Sequence, residues 1–218
     1  AQFASDAISR GAVAVLTDAK GAKDIKGVPV LISTNPRRAA GIASAWFYSE
    51  PMRDLYSVGV TGTNGKTTVT TLLYQLFKYL GFRVGLISTI GNKNHNKDIL
   101  STHTTPDPIQ LNKLMHEMVE NGCEYVFMEV SSHAVDQRRI AGLNFDVAVF
   151  TNITHDHLDY HKTFDNYIKA KKLFFDGLGS SAIALVNADD FHAEVMVQNT
   201  AAEVKTFGLR SMADFKAR

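Results

Sequence analysis

The residues best equipped for chemistry lie between Val58 and Thr68, which read Val-Gly-Val-Thr-Gly-Thr-Asn-Gly-Lys-Thr-Thr. An apolar run enters a glycine-rich turn that ends in Gly65-Lys66-Thr67. Glycines let a backbone fold round an oxygen cage, and a helix N-terminus behind it adds N–H donors and a positive dipole end. In such a loop Lys66 reaches the terminal phosphates of a nucleotide and the Thr67 hydroxyl sits on Mg2+. The literal pattern G-x-x-x-x-G-K-S/T is not met, because its first glycine falls on Val60; Gly62 makes this a variant loop. A second acid, Glu129, closes the apolar run Tyr125-Val-Phe-Met at a place where a carboxylate can hold or orient that Mg2+. Ser131-Ser132-His133 gathers further polar groups beside it.

Four other groups carry weaker signals. Asn152-Ile-Thr-His-Asp-His-Leu-Asp-Tyr-His161 crowds histidines and aspartates in a pattern open to a metal site or to solvated side chains and local caps. In Tyr167-Ile-Lys-Ala-Lys171-Lys-Leu-Phe174, helical spacing sets Tyr167, Lys171 and Phe174 on one face. A charged lysine there is costly to bury, so the stretch is either a solvated lysine run or holds a modified or phosphate-facing lysine. Thr102-His-Thr-Thr-Pro-Asp107 offers hydroxyls ahead of a helix, and Gln137-Arg138-Arg139 offers cations suited to carboxylate or phosphate.

These groups need a scaffold that brings loop ends together. From Asp54 the chain alternates strand, loop and helix. Apolar runs predict strands at 56–60, 83–89, 125–130, 146–151 and 182–187. Amphipathic stretches predict helices at 66–80, 108–121, 164–177 and 191–198. Continuous apolar strands suit a parallel sheet covered on both faces, so the reading is an α/β, doubly wound, mainly parallel sheet. Such sheets bind ligands at the carboxyl ends of their strands, which is where the glycine loop, Glu129 and the 152–161 stretch fall. Before Asp54, strands at 12–17 and 28–33 and an Ala-rich helix at 37–49, stopped by Pro51, read as the end of a smaller α/β domain.

Composition narrows the function classes. The chain has 218 residues, 23 Lys+Arg and 22 Asp+Glu, a net charge of +1 that argues against charge-driven nucleic-acid binding. No run of apolar residues reaches the length of a membrane span, and the first residues carry no basic flank of a signal peptide. Cys123 is the single cysteine, so no intrachain disulfide forms, which fits a cytoplasmic protein.

Taken in order, several segments resemble the motifs of the Mur ligase family. They are Thr61–Thr67, Thr104-Thr105-Pro106, Glu129–His133, Phe150-Thr151-Asn152, Asp156–His161 and Tyr167–Lys171. The resemblance runs from about Gly11 to Asp190, and the combination is closest to the branch that adds the third residue of the peptidoglycan stem peptide. It implies residues 1–52 as the C-terminal part of a UDP-sugar-binding domain and 53–218 as an incomplete central ATP-binding domain. A C-terminal amino-acid-binding domain would be absent and the fragment alone inactive. It further implies an ATP-dependent ligase in which a substrate carboxylate attacks the γ-phosphate, giving an acyl phosphate that accepts an amine.

By the same resemblance, Thr61, Gly62, Thr63, Asn64, Gly65, Lys66, Thr67 and Thr68 bind ATP. Thr67, Glu129, His157 and Lys171, the last as a CO2-derived carbamate, hold Mg2+. Lys66, His157 and Lys171 are catalytic, while Thr104, Thr105, Ser131, Gln137 and Arg139 bind the muramyl peptide. The implied partners are ATP, UDP-N-acetylmuramoyl-L-alanyl-D-glutamate and an amino acid (meso-diaminopimelate or L-lysine). The expected protein is a monomer without nucleic-acid or membrane partners. The rival readings are a sister ligase such as folylpolyglutamate or cyanophycin synthetase, a non-catalytic ATP-binding module, and a zinc-binding structural module.

Overall fold

The computed structural model describes residues 3–101, 103–156 and 158–217. The first segment holds α1 (Ala4–Ser9), β1 (Val15–Thr17), α2 (Ala19–Ala22), β2 (Val30–Ile32) and α3 (Pro36–Phe47). Strands β1 and β2 pair in parallel as a two-stranded sheet. Asn35 caps α3 by accepting from the Arg38 N–H, and Pro36 occupies the first helical turn, where a missing N–H costs nothing. The helix stops at Tyr48, ahead of a tight helical turn at Pro51–Arg53.

Next come β3 (Tyr56–Thr61), α4 (Lys66–Tyr79), β4 (Val84–Ile87), β5 (Asn92–Asn94), β6 (Lys97–Ile99) and α5 (Pro108–Glu120). They are followed by β7 (Tyr125–Glu129), α6 (Ser132–Asp136), β8 (Val147–Phe150), α7 (Leu158–His161) and α8 (Phe164–Asp176). The last elements are β9 (Ile183–Asn187), α9 (Ala193–Val197), β10 (Glu203–Gly208) and β11 (Phe215–Lys216). The nine strands β3 to β11 form one sheet in the order β11-β10-β9-β8-β3-β7-β4-β5-β6. All neighbours from β11 through β4 run parallel, and only β5 and β6 are antiparallel.

Alternation within the strands sends side chains to two cores. Val58, Val60, Phe127 and Val149 meet Tyr74, Leu73 and Phe77 of α4 on one face. Val126, Met128, Ala148 and Phe150 meet Leu111, Met115 and Met118 of α5 and Phe174 and Phe175 of α8 on the other. The sheet is therefore wound on both faces, as its apolar strands predict. Among the described residues no helix is long and apolar enough to cross a membrane.

The structure adds elements that apolar patterning does not announce. The β5–β6 hairpin is polar, and its asparagines are buried because they are bonded. Asn92 Oδ1 accepts from the Ser88 N–H at 3.2 Å, and Asn94 Nδ2 donates to the Glu117 carbonyl at 3.0 Å. Strand β10 is mostly polar because it lies near the edge, flanked by the two-residue β11. The strands expected at 12–17 and 28–33 shorten to three residues each, since only three pairs form between them.

Candidate active site

Strand β3 lies at the middle of the sheet, between β7 and β8, so three carboxyl ends converge where the chain passes to opposite sides. The loop Gly62–Gly65 leaves β3 and enters α4. Gly62 has φ +150, and a Cβ there would lie 1.9 Å from Thr151 Oγ1, so the turn closes only around a hydrogen atom. Gly65 at φ +88 starts the helix from the left-handed region. The segment after β8 braces this loop. Asn64 N–H donates to Asn152 Oδ1, Asn152 Nδ2 donates back to the Asn64 carbonyl, and Thr151 Oγ1 donates to that carbonyl at 2.7 Å.

Two lysines converge on one oxygen of this loop. Lys66 Nζ donates to the Gly62 and Thr63 carbonyls at 2.9 Å each, and Lys171 Nζ donates to the same Gly62 carbonyl at 2.8 Å. Lys171 is 1% exposed and lies over the Tyr167 ring, 4.7 Å from its centre. Burial, reinforced by the neighbouring Lys66 charge, pushes the Lys171 ammonium well below the usual lysine range, with Asp156 acting in opposition. Burial also lowers Lys66, against the pull of Glu129 and Asp156. The lysine stretch therefore divides: Lys169 is exposed, Lys172 pairs with Asp176, and Lys171 turns inward.

Glu129, at the end of β7 and 1% exposed, is fixed from two directions. Its Oε1 accepts from Thr67 Oγ1 at 2.9 Å and from the Thr89 N–H at 2.8 Å. A hydroxyl and a carboxylate held together are hard oxygen donors of the kind Mg2+ takes, so the pair fits that ion. Among the described residues no three His, Cys, Asp or Glu side chains sit together in a way that could hold a metal ion. The described histidines of the 152–161 stretch disperse. His155 stacks on Phe164 and His161 is buried against Ser132 Oγ, so they supply no zinc-type cluster. His157 lies outside the described residues.

Across the cleft, Thr105 Oγ1 donates to the Glu129 carbonyl and Thr89 Oγ1 donates to Thr104 Oγ1. Ser131 caps α6 by accepting from the Ala134 N–H. Arg139 Nη1 donates to the Thr105 carbonyl at 2.7 Å, and its Nε and Nη2 donate to Gln137 Oε1. Lys66, Thr67, Thr104, Thr105, Glu129, Ser131, Arg139 and Lys171 thus line one cleft of about 380 Å³, together with Thr89, His103, Ser132 and His133. Gln137 stands behind Arg139, and Asn64 and Thr68 are exposed outside the cleft. Thr89 carries no motif of its own; its signal is its place just beyond the end of β4, beside β7.

Residues 60–218 match the family model described as the Mur ligase middle domain. A protein of Cytophaga hutchinsonii named UDP-N-acetylmuramoyl-L-alanyl-D-glutamate--2,6-diaminopimelate ligase is 53% identical over 99% of this chain and 45% of its own length. A Bacteroides fragilis protein of the same name is 51% identical over 97% of this chain and 44% of its own. A solved structure titled with that ligase name superposes with a TM-score of 0.82 at 29% identity, covering 99% of this chain and 44% of that one. The chain spans less than half the length of these curated relatives. With its glycine loop, paired Thr67 and Glu129, and buried Lys171 set on this sheet, the chain belongs to the Mur ligase family.

Proposed function

We propose that the full-length protein carrying this chain is an ATP-dependent ligase of peptidoglycan synthesis. It joins 2,6-diaminopimelate to UDP-N-acetylmuramoyl-L-alanyl-D-glutamate through an acyl phosphate. The observation that carries this reading is the cleft itself, where Lys66, the Thr67–Glu129 pair, Lys171 and Arg139 face one volume. The choice of diaminopimelate over L-lysine rests on the names of the relatives.

A carboxylate attacking a phosphoryl group brings two anions together, which water does not favour. Lys66 and the N-terminus of α4 set positive charge where the phosphoryl oxygens lie, and that charge is in place before reaction. Gly62 and Gly65 let the backbone close on the phosphates, and Thr61, Thr63, Asn64 and Thr68 complete the nucleotide loop. Mg2+ held by Thr67 and Glu129 neutralises charge on the transferring group when bound. Arg139, with Gln137, Thr104, Thr105 and Ser131, takes the muramyl peptide and orients its terminal carboxylate toward Lys66. Lys171 is assigned the carbamate: burial favours the neutral amine, which is the form that adds CO2 with release of a proton, and the product is an anion able to hold Mg2+. His157 is assigned a metal-binding role on its motif alone. Residues 1–52 are assigned to the end of the UDP-sugar domain and 53–218 to the central domain; the protein is assigned to the cytoplasm.

The test is ADP release by the full-length protein with Mg-ATP, the muramyl dipeptide, and either meso-diaminopimelate or L-lysine. Release that requires both the dipeptide and diaminopimelate is expected. Release driven by a folate acceptor in place of the dipeptide overturns the reading and moves the protein to a sister ligase.

A further inference from the structure

Arg139 does not stand alone at the rim of the cleft. Its Nε and Nη2 donate to Gln137 Oε1 at 3.1 and 2.8 Å, and its Nη1 donates to the Thr105 carbonyl at 2.7 Å. A guanidinium has five N–H donors. With three committed in this way among the described residues, the plane is fixed and two are left for a ligand. The arrangement works only if the Gln137 amide presents oxygen, not nitrogen, to the arginine. Arg139 only donates and so takes the oxygen on its own side; what keeps the amide in that place is the neighbour that accepts from its nitrogen on the far side.

That neighbour is Tyr160, on the short helix α7. Its hydroxyl carries a single proton, and the Asp136 carboxylate takes it: Tyr160 Oη donates to Asp136 Oδ2 at 2.7 Å. The Tyr160 oxygen can then only accept from Gln137, whose Nε2 lies 3.2 Å away. The amide nitrogen is drawn to the tyrosine and the amide oxygen is left facing Arg139. Asp136, Tyr160, Gln137 and Arg139 form a directed chain in which each group leaves the next one orientation. The Tyr160 ring is held in its turn by His133, with ring centres 4.1 Å apart.

We propose that Tyr160 is a positioning residue: by fixing the Gln137 amide it sets the Arg139 guanidinium for the carboxylate-bearing acceptor. This rests on the ligase reading given above and assigns Tyr160 no contact with substrate.

The test compares Tyr160→Phe, Asp136→Ala and Gln137→Ala in the full-length enzyme, varying the muramyl dipeptide at saturating ATP and diaminopimelate. Tyr160→Phe keeps the ring against His133, so folding is retained. Loss of one orienting hydrogen bond is expected to raise KM for the dipeptide roughly tenfold, with kcat within about twofold. Asp136→Ala, which removes the acceptor that claims the tyrosine proton, is expected to raise KM in the same direction. In a Gln137→Ala background, Tyr160→Phe should add nothing, because the two act in series. An unchanged KM in Tyr160→Phe, or effects of Tyr160 and Gln137 that add, overturns the proposal while leaving the ligase reading intact. A crystal structure of Tyr160→Phe supplies a readout that needs no substrate. A Gln137 side chain shifted from its place with Arg139 displaced from Thr105 is expected, and an unmoved pair overturns the relay. If the wild-type enzyme ignores the muramyl dipeptide, the ligase reading falls and this crystal structure alone decides the positioning role.

Discussion

Lys171 shows how one side chain can set a pH dependence. An unfolded chain binds its proton up to the ordinary lysine value of 10.5, whereas burial holds the folded value well below that. Between the two values the unfolded state carries more protons, so stability must rise with pH across that window. Below the folded value the fold bears the full cost of a buried charge. In CO2-free buffer the urea midpoint of the wild type is expected to climb as the pH rises toward about 10, more steeply than that of Lys171→Met. Equal slopes would remove the burial account of this lysine. The sequence made Lys66, Thr67 and Glu129 legible, because a glycine loop or an apolar strand points straight at each. Lys171 was legible only as one of two outcomes, since its burial is decided by Tyr167 and by the distant Gly62 carbonyl. Thr89 was not legible: its meaning comes from Glu129, forty residues further along the chain.

Among the elements, long apolar or amphipathic segments could be read nearly to their ends. The strand expected at 56–60 runs to Thr61, and the helices expected at 66–80 and 164–177 end at Tyr79 and Asp176. Short or polar elements could not: α2 and α6 are held by caps and the β5–β6 hairpin by side-chain bonds, while α1 and α7, of six and four residues, are too short to show a period. How closely elements approach is likewise a tertiary fact. A Cβ on Gly41 of α3 would lie 2.6 Å from the Ala141 carbonyl oxygen, a backbone atom, while one on Gly85 of β4 would meet Met118 Sδ, the flexible part of a side chain. Gly41→Ala must therefore push α3 off the 141–142 loop, whereas Gly85→Ala asks only that a methionine re-pack. Gly41→Ala is expected to cost roughly 1–3 kcal/mol and Gly85→Ala less, read from urea midpoints. The reverse order would show that the α3 contact yields more readily than the sheet's interior.

At the scale of the molecule, the sheet binds a large core but the first segment does not close on itself. Trp46, Phe47, Leu31 and Ile32 are 73, 80, 61 and 64% exposed beside a sheet of only two strands. Apolar surface of this kind marks a place where more protein packs. The 218-residue chain on its own is expected to bind a hydrophobic-sensing dye, and Trp46→Gln with Phe47→Gln is expected to weaken that signal. Dye binding that ignores both substitutions would place the exposed apolar surface elsewhere. The fold class was legible because alternating apolar strands and helices admit few arrangements; the strand order was not, since periodicity says nothing about which strand lies beside which. That order has a bearing on synthesis. Strand β3 comes first among the nine but sits in the middle, and both of its partners are made later, β7 ending at Glu129 and β8 at Phe150. Contacts of such long range form late. A nascent chain released before Thr151 carries every glycine of the loop and Lys66, yet lacks the residues that hold Asn64 in place. On the ribosome, the glycine loop acquires its shape only after some ninety further residues have emerged, and the protein passes its early life with the motif complete and its bracing unmade.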